Sequence, residues 1–190
     1  EVFAEQGFNT VLQACRGTGG STGEFDPLRN EREDGLATLD WIKSQLWYDG
    51  RIGLTGPSYL AYAQWAICDA LPDRSAMAVQ ASSAQFESIV FPGGSFALQL
   101  WLSWLQVVEG LTEAPMTAGL QIIVGDIERK TLAAAEKLPL VESDIEVVGK
   151  RVPFWRRWFQ DAINNPEFWE PLDQTKRMSA TTPPNHMVSG

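Results

Sequence analysis

The chain contains one histidine, His186, and two cysteines, Cys15 and Cys68, in 190 residues. Two cysteines so far apart provide no disulfide framework, and with a lone histidine they make a poor ligand set for zinc. Cys15 falls on a strand-like stretch and Cys68 on a helix-like one, so both are expected to be buried free thiols. Basic residues are also scarce: 15 Lys and Arg face 24 Asp and Glu, for a net charge of −9. That balance argues against a nucleic-acid partner, which calls for a basic face. No apolar run approaches the ~20 residues needed to cross a bilayer. No membrane partner is expected. No signal peptide is legible, but a missing N-terminus would remove that evidence either way, so secretion is left open and the location unknown, with the cytoplasm favoured. What remains is a hydrophobic share of 44%, enough for a core, and a length suited to one domain or one and a half.

The stretch 51–59 (Arg-Ile-Gly-Leu-Thr-Gly-Pro-Ser-Tyr) carries the most chemistry. A short strand pattern, Ile52 and Leu54, runs into Gly56-Pro57-Ser58-Tyr59. An apolar helix pattern follows at once through Leu60, Ala63, Trp65, Ala66 and Ile67. A serine on a strand-to-helix turn is where an α/β-hydrolase holds its nucleophile. The turn lifts the hydroxyl above the sheet, and a small residue two positions earlier avoids a clash. The helix that follows directs amide N–H groups and its dipole at a developing oxyanion. Ser58 is therefore the candidate nucleophile, and Tyr59 the candidate backbone oxyanion donor. The plainer alternative is a Gly-Pro-Ser turn in which Ser58 caps an ordinary helix.

Upstream, residues 7–15 read as a glycine-stopped helix followed by a buried strand. The loop 16–25 comes next, then a helix over Asp34–Leu46 with Leu36, Leu39, Ile42 (or Lys43) and Leu46 on one stripe. Residues 47–50 turn the chain into the strand before Ser58, and a further strand is expected over Met77–Ala81. Strands alternating with helices predict a parallel sheet with helices on both faces. The glycine-rich run 17–23 could instead cradle a phosphate, making a nucleotide-binding module. It leads into Glu24-Phe25-Asp26-Pro27 rather than into a helix, and no Lys-Ser/Thr follows. Arg16 is expected to play a structural part beside this loop; the alternative is a guanidinium facing solvent.

Beyond Phe86 the character becomes helical and aromatic. An almost wholly apolar helix is expected over Phe96–Leu105, one that other elements must cover. Further helices are expected over Ala118–Gly125, Ile127–Lys137 and Phe154–Ile163, with Leu138-Pro139-Leu140 separating the middle pair. Five of the eight tryptophans lie between Trp101 and Trp169. They could line an apolar acyl pocket, although ordinary packing accounts for any one of them. Trp155–Phe159 is too short, and its surroundings too acidic, for a membrane-surface patch.

Together, Arg16-Gly17, Ser21 to Phe25, Asp34-Gly35, Trp41-Ile42, Trp47 to Gly50 and Gly56 to Leu60 resemble the cocaine esterase / X-prolyl dipeptidyl peptidase family of serine hydrolases. The family pattern Trp-x-x-x-Gln-x-Trp-x-x-Gly is visible as Trp41, Gln45, Trp47 and Gly50. The chain departs from the pattern at Ala14, where the family has Asp, and at Ala61, where it has Gly. The resemblance implies a partial α/β-hydrolase: a doubly wound parallel sheet with an inserted helical cap. Residues 1–85 would form the first part of the core with the nucleophile turn, 86–178 the cap, and 179–190 a return strand.

The resemblance further implies a serine hydrolase that cleaves small ester, amide or peptide substrates through an acyl-enzyme, without cofactor or metal; a homo-oligomer is allowed. The activating Asp and His would lie beyond Gly190, leaving His186 a structural residue on a core strand. A tyrosine supplying a second oxyanion donor would precede Glu1, and a β-rich domain would follow. Residues 1–190 alone are then expected to be catalytically silent. A non-catalytic hydrolase-like scaffold is the alternative.

Overall fold

Strand β1 (Arg51–Pro57) carries Ile52 and Leu54 on its half-buried side, and β2 (Arg74–Gln80) buries Ser75, Met77 and Val79 with the period of two that a strand imposes. The structure is a computed structural model that describes residues 2–113, 126–179 and 182–188. The expected helix over 118–125 lies outside these residues. β1 and β2 are parallel and in register from Arg51 opposite Arg74 to Pro57 opposite Gln80. Parallel neighbours need a crossover, supplied here by α3 (Tyr59–Ala66) and the short turn Cys68–Ala70. β3 (Asn185–Val188) pairs parallel with the other side of β2, Ala78 opposite His186, giving the order β1-β2-β3. The protein is therefore α/β. β3 forms where a core strand was expected, but all four of its residues are exposed.

The chain divides into two compact units, Glu1–Ala84 with Asp173–Gly190, and Gln85–Leu172. In the first unit the core joins Ala61, Trp65 and Cys68 to Met77, Val79 and Ala84, with Leu54 and Leu71 packed against it. Ala61 is fully buried there, so its methyl group is part of the core.

Helix α2 (Glu31–Lys43) starts and ends three residues earlier than its apolar stripe suggested. Glu31, Glu33 and Asp34 occupy the first turn and Lys43 the last, the polarity that the helix dipole favours. Leu46 falls past the helix end and is exposed. Gly35 sits inside α2 because a Cβ there would come 2.8 Å from Cγ2 of Ile67. Arg32 fastens the same crossing by donating to the Ala66 carbonyl at 2.7 Å and to both oxygens of Asp69 at 2.7 and 3.2 Å.

The short helix α1 (Val2–Glu5) is stopped at Gly7, which has φ 87°. The buried strand expected after it is not there. Residues 8–15 form no ladder with any described residue, and Val11 and Leu12 are exposed. A strand is stabilised by its ladder partners; here only the end of the stretch, at Ala14 and Cys15, is held, by local bonds from the following loop. Thr18 N donates to Cys15 O at 3.0 Å, and Ser21 Oγ to Ala14 O at 3.2 Å.

The second unit is helical: α4 (Glu87–Val90), α5 (Leu98–Glu113), α6 (Asp126–Ala135), α7 (Ser143–Val148), α8 (Pro153–Gln160) and α9 (Pro166–Trp169). Pro153 and Pro166 each sit in the first turn of a helix, where the missing N–H costs nothing, and Gly149 ends α7 in the left-handed conformation. α5 buries Trp101, Leu102 and Leu105, but leaves Leu100 exposed. α8 buries Phe154, Trp155 and Trp158, so this aromatic run belongs to the interior of the unit. Trp101 meets Trp158 edge-on at 4.9 Å and Trp104 at 5.4 Å, geometries worth about 0.5–1.5 kcal/mol per pair beyond area burial. Asp144 is fully buried; its oxygens accept from Ile145 N at 2.9 Å, Val152 N at 2.8 Å and Arg156 at 3.2 Å.

Candidate active site

At the end of β1 the backbone makes an abrupt change. Gly56 has φ 151°, and a Cβ on it would lie 2.6 Å from Cβ of Leu60. Only glycine allows β1 to run this close beneath α3. Ser58 follows at φ 55° and ψ −119°, outside the helical and extended regions, where a residue persists only if its surroundings hold it. They do so through the backbone. Ser58 N donates to Gln80 O at 2.8 Å, extending the β1–β2 ladder, and Ser58 O accepts from Ala61 N and Tyr62 N at 3.0 and 3.2 Å. The side chain is exposed and its hydroxyl makes no hydrogen bond among the described residues, so it does not cap α3.

Tyr59 opens α3, and its side chain reaches back toward α2. Its hydroxyl accepts from Leu28 N at 2.8 Å and donates to Oε1 of Glu31. Phe25 and Tyr62 flank the ring at 6.1 and 6.4 Å between centroids. Burial pushes the Tyr59 hydroxyl pKa well up, and the nearby Glu31 charge adds to the effect. Burial likewise raises the Glu31 carboxyl, with the Tyr59 hydrogen bond acting the other way. Leu28 is buried at φ 74° and is gripped from both sides of its peptide, because Tyr62 Oη donates to Leu28 O at 3.1 Å. Gln174 Nε2 in turn donates to Tyr62 Oη at 2.8 Å.

The loop 16–25 is shaped by its own contacts. A Cβ on Gly17 would lie 2.3 Å from Phe25 N, and one on Gly23 would lie 2.8 Å from Cγ of Arg16. The Arg16 guanidinium binds Glu33 at 3.0 Å and both oxygens of Asp34, tying the loop to the first turn of α2. These glycines therefore fold the loop against Phe25, which backs Tyr59. Arg16, Gly17, Gly23 and Phe25, part of the spacing that resembles a family pattern, thus back the residue after Ser58. Cys15 lies half-buried nearby, its thiol pushed up to about 11 by burial and by the charges of Glu31 and Asp34.

His186 sits on β3 opposite Ala78, the rung shared with Thr55 and three residues short of Ser58. That is about 10 Å along the strands and two strand spacings, about 9.6 Å, across them. Ser58 and Tyr59 thus share one turn, whereas His186 is on a distant rung. Among the described residues no cluster of His, Cys, Asp or Glu could hold a metal ion, and no helix is long and apolar enough to cross a membrane. Glu31, Leu28 and Gln174 were not singled out from the sequence: each meets Tyr59 or Tyr62 from 28 or more positions away, and no local pattern marks such a pairing.

Parallel strands joined by a helix, with an exposed serine at positive φ on the strand-to-helix turn, define an α/β protein. The chain belongs to the X-Pro dipeptidyl-peptidase (S15) family, which matches residues 1–190. It is also similar to the cocaine esterase of Rhodococcus sp. (strain MB1 Bresler), 28% identical over 197 residues. That alignment covers 99% of this chain and 34% of the esterase, so the chain spans about a third of the length of this curated relative.

Proposed function

We propose that the protein is a serine hydrolase acting on ester or amide bonds, with Ser58 as nucleophile. Ser58 Oγ would attack the substrate carbonyl carbon, forming a tetrahedral oxyanion held in part by the Tyr59 N–H. Collapse expels the alcohol or amine and leaves an acyl-enzyme, which water then hydrolyses to regenerate the serine. The observation that carries this reading is the Ser58 hydroxyl itself: it is exposed, makes no hydrogen bond among the described residues, and is set on a strained turn that requires Gly56.

A base must take the serine proton, and the one histidine of the chain is on the wrong rung of the sheet. The chain spans about a third of the cocaine esterase it matches, so the activating histidine and its orienting carboxylate are proposed to belong to the whole protein outside residues 1–190, as the family resemblance implies, and residues 1–190 alone are proposed to be inactive. The substrate is a small acyl ester, in keeping with the relative named cocaine esterase, or an X-Pro peptide, in keeping with the family name. The departures from the family pattern at Ala14 and Ala61 favour one competing reading, a non-catalytic scaffold.

One experiment separates the two. In the protein at its full native length, a fluorophosphonate should label Ser58, and Ser58→Ala should abolish turnover of p-nitrophenyl acetate while leaving the unfolding midpoint unchanged. Persistent hydrolysis in Ser58→Ala removes Ser58 from the mechanism. An unlabelled, inactive wild type establishes the scaffold.

A further inference from the structure

We infer that Glu31 is a positioning residue that acts through Tyr59 to hold the Ser58 turn; this assignment rests on the hydrolase reading above. Packing alone does not account for the pair. Tyr59 already has ring neighbours in Phe25 and Tyr62, and a phenylalanine would make the same contacts. Glu31 is only 8% exposed and its Oε2 is buried without a hydrogen-bond partner among the described residues, so an apolar residue would be easier to bury there. What only a carboxyl or a similar acceptor provides is the direction of the Tyr59 hydroxyl. A phenol has one hydrogen to donate. With that hydrogen engaged by Glu31, a lone pair of the oxygen is turned to the amide of Leu28.

The Leu28 peptide is itself locked in a positive-φ conformation, with Tyr62 bonded to its carbonyl. The far end of Tyr59 is thus anchored to the loop at Leu28 and to the first residue of α2. Its near end is the peptide that follows Ser58, so Glu31, Tyr59 and Leu28 form a clasp across two elements. The proposed oxyanion interaction at the Tyr59 N–H strengthens only as charge develops, so loosening the clasp should lower kcat and leave KM alone. A displacement near 1 Å at such a donor is worth about a hundredfold in rate.

The test uses the protein at its full native length and p-nitrophenyl acetate. Tyr59→Phe and Glu31→Leu should each lower kcat about 10- to 100-fold with KM held within about twofold. The double variant should lose no more than the worse single, because both remove one device. Glu31→Gln keeps a carbonyl acceptor and should recover most of the loss. Tyr59→Phe removes a single atom and keeps the result readable if Glu31→Leu does not fold. Additive losses, a change in KM instead of kcat, or a folded Tyr59→Phe with wild-type kcat overturns the assignment. Fluorophosphonate labelling of the wild type reports on the hydrolase reading separately. If that reading fails, amide exchange still decides the clasp. Exchange at Leu28 should quicken about tenfold or more in Tyr59→Phe, and unchanged exchange overturns it.

Discussion

Replacing Gly56 with alanine should injure the candidate site through a contact that is already measurable. The new Cβ would come 2.6 Å from Cβ of Leu60, an atom fixed to the helix backbone and unable to swing aside. Carbon atoms prefer about 3.5–4.0 Å, so the start of α3 must retreat by about 1 Å. Backbone strain at φ 151° adds about 1–3 kcal/mol, and overpacking about 1–3 kcal/mol more. Stability should therefore fall by about 2–6 kcal/mol. A 1 Å retreat carries Ser58 and Tyr59 with it, which should slow fluorophosphonate labelling of Ser58 about a hundredfold. The control lies on the same strand. Gly53 has nothing within 4 Å of a would-be Cβ, so Gly53→Ala should change stability by no more than about 0.5 kcal/mol. Labelling rates are read by mass spectrometry at the full native length, and stability by urea denaturation. A Gly56→Ala variant that labels and unfolds like wild type refutes the idea that glycine is needed beneath this turn.

In the helical unit, Asp144→Asn should cost about 2–4 kcal/mol, because an amide oxygen can keep only one of the buried N–H donors at Ile145 and Val152. Urea unfolding followed by the fluorescence of Trp101, Trp155 and Trp158 reads this directly, and a loss below about 0.5 kcal/mol contradicts it. The raised Glu31 carboxyl means that the folded protein holds a proton more tightly than the unfolded chain. Its favourable contribution is complete below the ordinary carboxylate range and is lost as pH rises through the elevated value. Wild type should therefore lose stability relative to Glu31→Gln as pH rises from about 4 to 8, as checked by melting at a series of pH values. With its thiol near 11, Cys15 is about one part in a thousand thiolate at pH 8, so iodoacetamide should alkylate it slowly, faster at each step toward pH 10.

β1, the Ser58 turn, α3 and β2 were legible because their signals are local: alternation in Ile52 and Leu54, a Gly-Pro-Ser break, then an apolar helix. The strand that carries the period-two run Ser75, Met77, Val79 begins at Arg74, three residues before the start read from Met77. α2 moved because its start is set by acidic residues from Glu31 onward, whereas the apolar stripe begins only at Leu36. The strand expected before Cys15 shows the limit of such reading: Val11 and Leu12 are apolar, but strand formation depends on a neighbour that composition does not name. At the candidate site, Ser58 and Gly56 were readable from spacing. The Glu31–Tyr59–Leu28 contacts were not, because they join positions that only the folded chain brings together.

Gln174 N donates to Ala84 O at 2.9 Å, joining the place where the chain leaves the sheet after β2 to the place where it comes back. Everything from Gln85 to Leu172 is strung between those two ends. The entropy of closing such an excursion grows only logarithmically with its length. The excursion can therefore be lengthened, trimmed or exchanged as a cassette, and the pairing of Met77 with Asn185 need not register the change.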